Sequence, residues 1–184
     1  LGVLGVVLLW YIHPLSAFIA LVGHLFYVLI YTLILKKRTP QNIVIGGIAG
    51  AVGPLIGWAS ISGELSFAAW MMFLLIILWT PPHFWALALN YKADYKQAGI
   101  PMYPVVYGET KIKRAILAYS LSLIPTVVIL GIAGNCGWIY YLGVSFLTGK
   151  FVWDAAKLQK TESSQTNMRF FLFSCLYTFA IFGC

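Results

Sequence analysis

The sequence predicts an all-α protein, a polytopic bundle of membrane helices. Three observations carry that prediction. Residues of the set AVILMFWYC make up 61% of the 184 residues and charged residues only 9%, against about half and about a quarter in a soluble chain. The apolar residues gather into long runs with short polar connections. The cations occupy alternate connections only. With 5 acidic and 12 basic residues and a mean hydropathy of +0.87, the chain cannot cover a water-facing surface. That excludes disorder, a coiled coil and an ordinary cytosolic enzyme.

The first run, LGVLGVVLLWYI at residues 1–12, is short of the roughly 20 residues a span needs. It also lacks the basic leader of a signal peptide. It reads as the second half of a helix. Fuller spans are expected near 14–35, 43–60, 66–89, 114–133, 138–156 and 168–184, apolar all around as lipid demands. The last ends within the run FFLFSCLYTFAIFGC. Residues 1–184 are therefore expected to form one transmembrane domain of about seven helices, cut at its N-terminus and at its C-terminus too.

The connections sort the cations. Lys36, Lys37 and Arg38 lie between the second and third spans. Lys92, Lys96, Lys111, Lys113 and Arg114 lie between the fourth and fifth, and Lys150, Lys157, Lys160 and Arg169 flank the last connection. The connections around His13, Glu64 and Asn135 have no cation. The basic loops share one side, expected to be the cytoplasm, or the matrix in an organelle. No Arg/Lys run is interleaved with aromatics, so no nucleic-acid partner is expected. Cys136, Cys175 and Cys184 make no CxxC and no metal-ligand spacing, and read as small apolar fillers.

The third span, IVIGGIAGAVGPLIGWAS, pairs Gly46 with Gly50 and Gly53 with Gly57 in GxxxG spacing, and Gly47 with Ala51 extends the small surface. Such a face permits close helix packing; it also makes room for a large flat or polyisoprenoid ligand. Before it, YTLILKKRTPQN puts Tyr31 and Arg38 at i, i+7, with Lys36 and Lys37 at the membrane exit. Three adjacent cations repel unless an anion offsets them. They read either as a topology and phospholipid contact or as a diphosphate clamp, with Arg bidentate and Lys as point charges. Asn42 could cap the third span.

The most informative stretch is LWTPPHFWALALNYKADYKQAGIPMYPVVYGE, residues 78–109. Pro81 and Pro82 lack N–H groups, which leaves the carbonyls of Ile77 and Leu78 without helical partners and predicts a kink or break. If the helix then continues, His83, Asn90 and Asp94 fall within about 20° of one line. His83 reads as a ring bonding a freed carbonyl, a cofactor contact such as an axial haem ligand, or a proton relay. Asp94 reads as a solvated helix end paired with Lys92 or Lys96, or as a Mg²⁺ ligand, since Mg²⁺ takes one or two carboxylates plus substrate phosphates. Asn90 shares its face at i, i+4. Lys150, Asp154 and Lys157 read as an exposed, ion-paired helix end. His13 and His24 look isolated, Glu64 and Glu109 look like unpartnered loop residues, and Trp79 and Trp85 read as packing or interface aromatics.

Two stretches, KKRTPQNIVIGGIAGAVGPLIGWA at 36–59 and WTPPHFWALALNYKADYKQAGIPMYPVV at 79–106, resemble the UbiA-type intramembrane prenyltransferases, in their haem-farnesylating branch (haem O synthases). The resemblance runs over essentially the whole chain, which looks like the last seven of that family's nine helices. It implies transfer of a farnesyl group from farnesyl diphosphate to a vinyl group of haem b, giving haem O for haem-copper oxidases. The family holds Mg²⁺ and the diphosphate on two Asp-bearing motifs at helix ends. Asn90, Asp94 and Tyr95 match the second motif, with Asn where many relatives have the first Asp of DxxxD. Lys36, Lys37, Arg38 and Asn42 match its diphosphate-binding basic element. His83 matches the histidine of its haem-specific PHF element. The first acidic motif would precede Leu1, so this stretch alone is expected to be inactive. The resemblance also implies a bacterial plasma membrane or a mitochondrial inner membrane, with haem-A synthase or oxidase-assembly proteins as partners. Other readings remain. A relative acting on a quinone precursor or chlorophyllide should lack PPHFWALAL. A transporter or a non-catalytic oxidase-assembly factor would also use broken helices and intramembrane polar groups.

Overall fold

Every predicted run is a helix in the computed structural model, which describes residues 1–184. α1 (Gly2–Ile12) and α2 (Pro14–Leu25) are divided at His13, where the backbone is extended. His13 Nδ1 accepts from the Leu15 N–H at 3.2 Å. Pro14 takes the first helical position, where its missing N–H is no loss. His13 is thus a helix cap and not an isolated ring.

α2 runs on without a break into a π-helical segment, Phe26–Leu35. Its wider turns are visible in the Lys36 N–H donating to Tyr31 O at 2.8 Å and in Thr32 Oγ1 donating to Tyr27 O at 2.8 Å. The π winding is a departure from the sequence reading with a consequence: seven residues no longer complete two turns. Arg38 moreover sits in a turn beyond the helix, its N–H on Leu35 O at 3.0 Å. Tyr31 and Arg38 therefore share no helical face.

α3 (Asn42–Ser62) ends at Gly63, whose φ of 73° is the left-handed closure that glycine accepts. α4 (Phe67–Asn90) opens on Ser66 Oγ, which accepts from the Ala69 N–H at 3.2 Å. Of the kink or break expected at Pro81 and Pro82, the break is absent, and α4 is continuous through both prolines. Packing holds it, because all four residues Thr80, Pro81, Pro82 and His83 are buried. Thr80 Oγ1 also donates to Ile76 O at 2.7 Å. Two short helices, α5 (Lys92–Gln97) and α6 (Tyr103–Tyr107), fill the next connection. α7 (Glu109–Ala133), α8 (Trp138–Leu158) and α9 (Ser164–Gly183) complete the chain.

α4 is the central helix. It packs on α3, α7 and α9, while α2 covers α3 and α8 joins α7 to α9. Twelve of its residues are buried, against none in the π segment. Ala68, Ala69, Ala86 and Ala88 keep its surface low enough for neighbours to approach closely. Leu75, Trp85, Ile112, Ile116, Leu123 and Phe151 form the centre of one core.

The outer surface is apolar as well: Phe146 is 73% exposed and Phe179 82%. Side chains of that kind belong in lipid. Pro14–Leu35, Asn42–Ser62, Phe67–Asn90 and Glu109–Ala133 are each long and apolar enough to cross a membrane. α8 and α9, at 21 and 20 residues, also reach the thickness of a hydrocarbon core of about 30 Å.

Candidate active site at the basic ends of the helices

The π segment, α3 and α4 line an open cavity of about 430 Å³, within the range of ligand pockets. Tyr27 and Tyr31 form one wall, Gly46, Gly47 and Gly50 a second, and Trp79, Thr80 and Phe84 a third. The glycines divide their labour. A Cβ on Gly46 would lie 2.4 Å from the Tyr31 ring, and one on Gly47 3.1 Å from Thr80 Cγ2. One on Gly50 would meet nothing within 4 Å. Gly46 and Gly47 serve packing, whereas Gly50 leaves room in the cavity; Gly53 and Gly57 also meet nothing within 4 Å, so neither GxxxG pair packs as a pair. A larger hollow of about 530 Å³, lined by Pro54, Gly57 and Trp58 toward the opposite end of α3, has no charged group on it.

Residues 36–41 connect the π segment to α3 at the basic end of this cavity. Lys36, Lys37 and Arg38 are exposed, and none of them forms an ion pair. Asn42 is buried beneath them and donates Nδ2–H to Lys36 O at 3.2 Å, which holds the turn. It does not cap α3: Gln41 occupies that position, and Thr39 Oγ1 accepts the Gln41 N–H at 3.2 Å. Asn42 Oδ1 is left buried with no hydrogen-bond donor.

On α4 the structure separates residues that the sequence puts in one line. The helix ends at Tyr91 (φ −106°, ψ 24°), and α5 begins anew at Lys92. Asp94 therefore does not continue the stripe of His83 and Asn90. Its carboxylate is exposed and unpaired. Lys92, one of its expected partners, instead pairs with Glu109 at 3.2 Å. Glu109 is thus not an unpartnered loop residue but opens α7, where a negative charge suits the helix dipole. Tyr95 is half-buried against the core.

Asn90 is engaged at both ends of its amide. Nδ2 donates to Ser164 O at 3.1 Å, and Oδ1 accepts from Asn167 Nδ2 at 2.9 Å. It ties the end of α4 to the start of α9. Asn167 Oδ1 is itself buried without a donor. Sequence reasoning missed Asn167 and also Lys113, which is buried and donates to Thr161 O at 2.8 Å. Lys113 sits among other loop cations, and its one near carboxylate, Glu109 four residues earlier, pairs with Lys92 instead, so nothing local signalled its burial.

His83 turns away from the cavity, toward α9. Its Nδ1 lies 2.7 Å from Ser174 Oγ, and its ring is stacked between Trp79 (4.3 Å) and Phe171 (4.6 Å). It bonds no freed carbonyl. Trp79, whose Nε1–H donates to Ser174 O at 2.9 Å, and Phe84, edge-on to His83 at 5.0 Å, stand between the ring and the cavity. These two aromatics, and not His83, form the cavity wall.

Three exposed, unpaired cations thus lie in the turn that follows the cavity's π-segment wall, and the unpaired carboxylate of Asp94 sits on α5, which packs on α4 and α6. That arrangement suits an amphiphile with a polyanionic head and a long apolar tail. For a divalent cation, Asp94 is a fitting single ligand, since Mg²⁺ completes its shell with phosphate and water. Asn90 fits only if Asn167 releases its oxygen.

A sequence model of the UbiA prenyltransferase family matches residues 1–176, and the chain belongs to that family. It is 44% identical to the protoheme IX farnesyltransferase of Parvibaculum lavamentivorans over 184 residues, 98% of this chain and 57% of that protein. It is 46% identical to that of Erythrobacter litoralis, covering 99% of this chain and 60% of the relative, and 47% identical to that of Gloeobacter violaceus, covering 84% and 50%. The chain thus spans a little over half the length of these curated relatives. No solved structure matches it.

Proposed function

We propose that the protein transfers a farnesyl group from farnesyl diphosphate to a vinyl group of haem b, giving haem O and diphosphate, as part of an oxidase-supplying route. The observation that carries this is the apolar cavity beneath the unpaired cations Lys36, Lys37 and Arg38. The names of its relatives supply the substrates. In this reading the basic loops face the cytoplasm across a bacterial plasma membrane.

Lys36, Lys37 and Arg38 bind the diphosphate and Asn42 holds their turn. When Mg²⁺ is bound, Asp94 would hold it, with Asn90 as a second ligand once its oxygen leaves Asn167, and it would neutralise charge on the leaving diphosphate. The C1–O bond of the farnesyl diphosphate breaks, diphosphate departs with the electron pair, and an allylic cation remains. The electron-rich faces of Tyr31, Tyr27 and Tyr95 stabilise that cation in a water-poor chamber. The vinyl carbon attacks C1, and water adds to the resulting cation with loss of a proton, leaving a hydroxyethylfarnesyl chain. His83 acts on the haem side, positioning Trp79 and Phe84 or contacting the porphyrin through Nε2, which bonds no protein group.

Two substitutions in the whole protein test this. Asp94→Ala is expected to lower product formation by about 10²- to 10³-fold with membrane insertion unchanged; normal turnover would remove the metal role. His83→Ala is expected to weaken haem binding more than farnesyl diphosphate binding. Equal loss of both would make His83 a purely structural residue.

A further inference from the structure

The ends of α8 and α9 form a charged cavity that the transfer reaction does not use. It has a volume of about 270 Å³ and is lined by Lys150, Asp154, Lys157, Thr166, Arg169 and Phe170. We propose that it binds the phosphate headgroup of an anionic phospholipid from the leaflet on the basic side.

Charge is the first argument. Lys150 pairs with Asp154, and its ammonium also lies 3.8 Å from the centre of the Phe173 ring. Lys157 and Arg169 have no carboxylate partner. Three cations from two helices thus converge on one hollow with a single anion among them. A loop that only obeyed the sidedness of basic residues would not need such convergence.

Depth is the second argument. Lys150 lies eight residues before Leu158, the end of α8, which places it about 12 Å inside the helix end. A cation two turns back from the helix end lies beyond the flanking positions that sidedness alone uses.

The surroundings select a lipid over a soluble anion. One turn and more below the cavity, the same face of α8 presents Phe146, 73% exposed, and α9 presents Leu176, 63% exposed. Acyl chains would run along that wall, for which a free phosphate has no use. Trp153, 64% exposed with Lys157 5.6 Å from its ring centre, is placed as an interfacial aromatic. Arg169 and Asn167 project about 200° apart on α9, so the cavity and the Asn90 contact occupy different faces of that helix.

The test is native mass spectrometry of the whole protein in mild detergent, with phosphatidylglycerol, phosphatidylcholine or inorganic phosphate added. Lys157→Gln and Arg169→Gln are each expected to lower phosphatidylglycerol occupancy about fivefold, and the double variant roughly thirtyfold. Phosphatidylcholine retention should not change. Lys111→Gln, which removes an exposed cation from the same face of the molecule, should have no effect. The charge-keeping pair Lys157→Arg with Arg169→Lys guards against misfolding and should retain the lipid. The proposal is overturned if the double variant retains phosphatidylglycerol, or if Lys111→Gln loses as much. Loss in the charge-keeping pair, or displacement of the lipid by equimolar inorganic phosphate, would overturn it as well.

Discussion

At the scale of single residues, the proposed site rests on what is left unpaired. Lys36, Lys37, Arg38 and Asp94 have no ion-pair partners, so their charges are available to a ligand. His83 and Asn90 are instead taken up by α9, through Ser174 and Asn167. Ser174→Ala removes the only hydrogen-bond partner of the buried imidazole and is expected to destabilise the protein by about 1–3 kcal/mol. Thermal unfolding in detergent would measure it, and an unchanged midpoint would mean that His83 finds another partner. The chemistry of these residues was legible from the sequence, because an imidazole, an amide and a carboxylate beside a proline pair are conspicuous in an apolar run. Their partners were not legible. Ser174 and Asn167 lie 91 and 77 residues further along the chain, and nothing in local spacing reports a contact at that range.

At the scale of elements, the apolar runs marked the helices closely, since lipid demands continuous apolar length and little else can supply it. Finer geometry escaped that reasoning. The π winding of Phe26–Leu35, the continuity of α4 through two prolines and the break at Tyr91 all depend on tertiary packing. The glycine face of α3 separates the two uses that the sequence left open. Gly46→Ala would drive a methyl group into the Tyr31 ring and is expected to cost about 1–3 kcal/mol. Gly50→Ala should leave stability within about 0.5 kcal/mol while narrowing the cavity. Comparing the two unfolding midpoints decides the matter. If Gly46→Ala were as harmless as Gly50→Ala, the close contact between the π segment and α3 would be wrong.

At the scale of the whole molecule, the basic connections lie on one side and the polar site lies with them. Cysteines introduced at Lys37 and Lys160 should react with an impermeant reagent from the same side of the membrane, and one at Glu64 from the other. Labelling of the Lys37 and Glu64 positions from one side would contradict this topology and detach the cations from the cavity they are proposed to serve. The two groups of helices that share α4 also explain why so much depends on it. It forms a wall of the cavity, binds α9 through Trp79 and His83, and delivers Asn90 to the basic face. The measurement that bears most directly on this account is the mass of the haem recovered after membranes containing the whole protein are given haem b, farnesyl diphosphate and Mg²⁺. A haem carrying an added hydroxyethylfarnesyl group, lost in Asp94→Ala, is the predicted result. Recovery of unmodified haem alongside a prenylated quinone precursor would contradict it and assign the same cavity to a different acceptor.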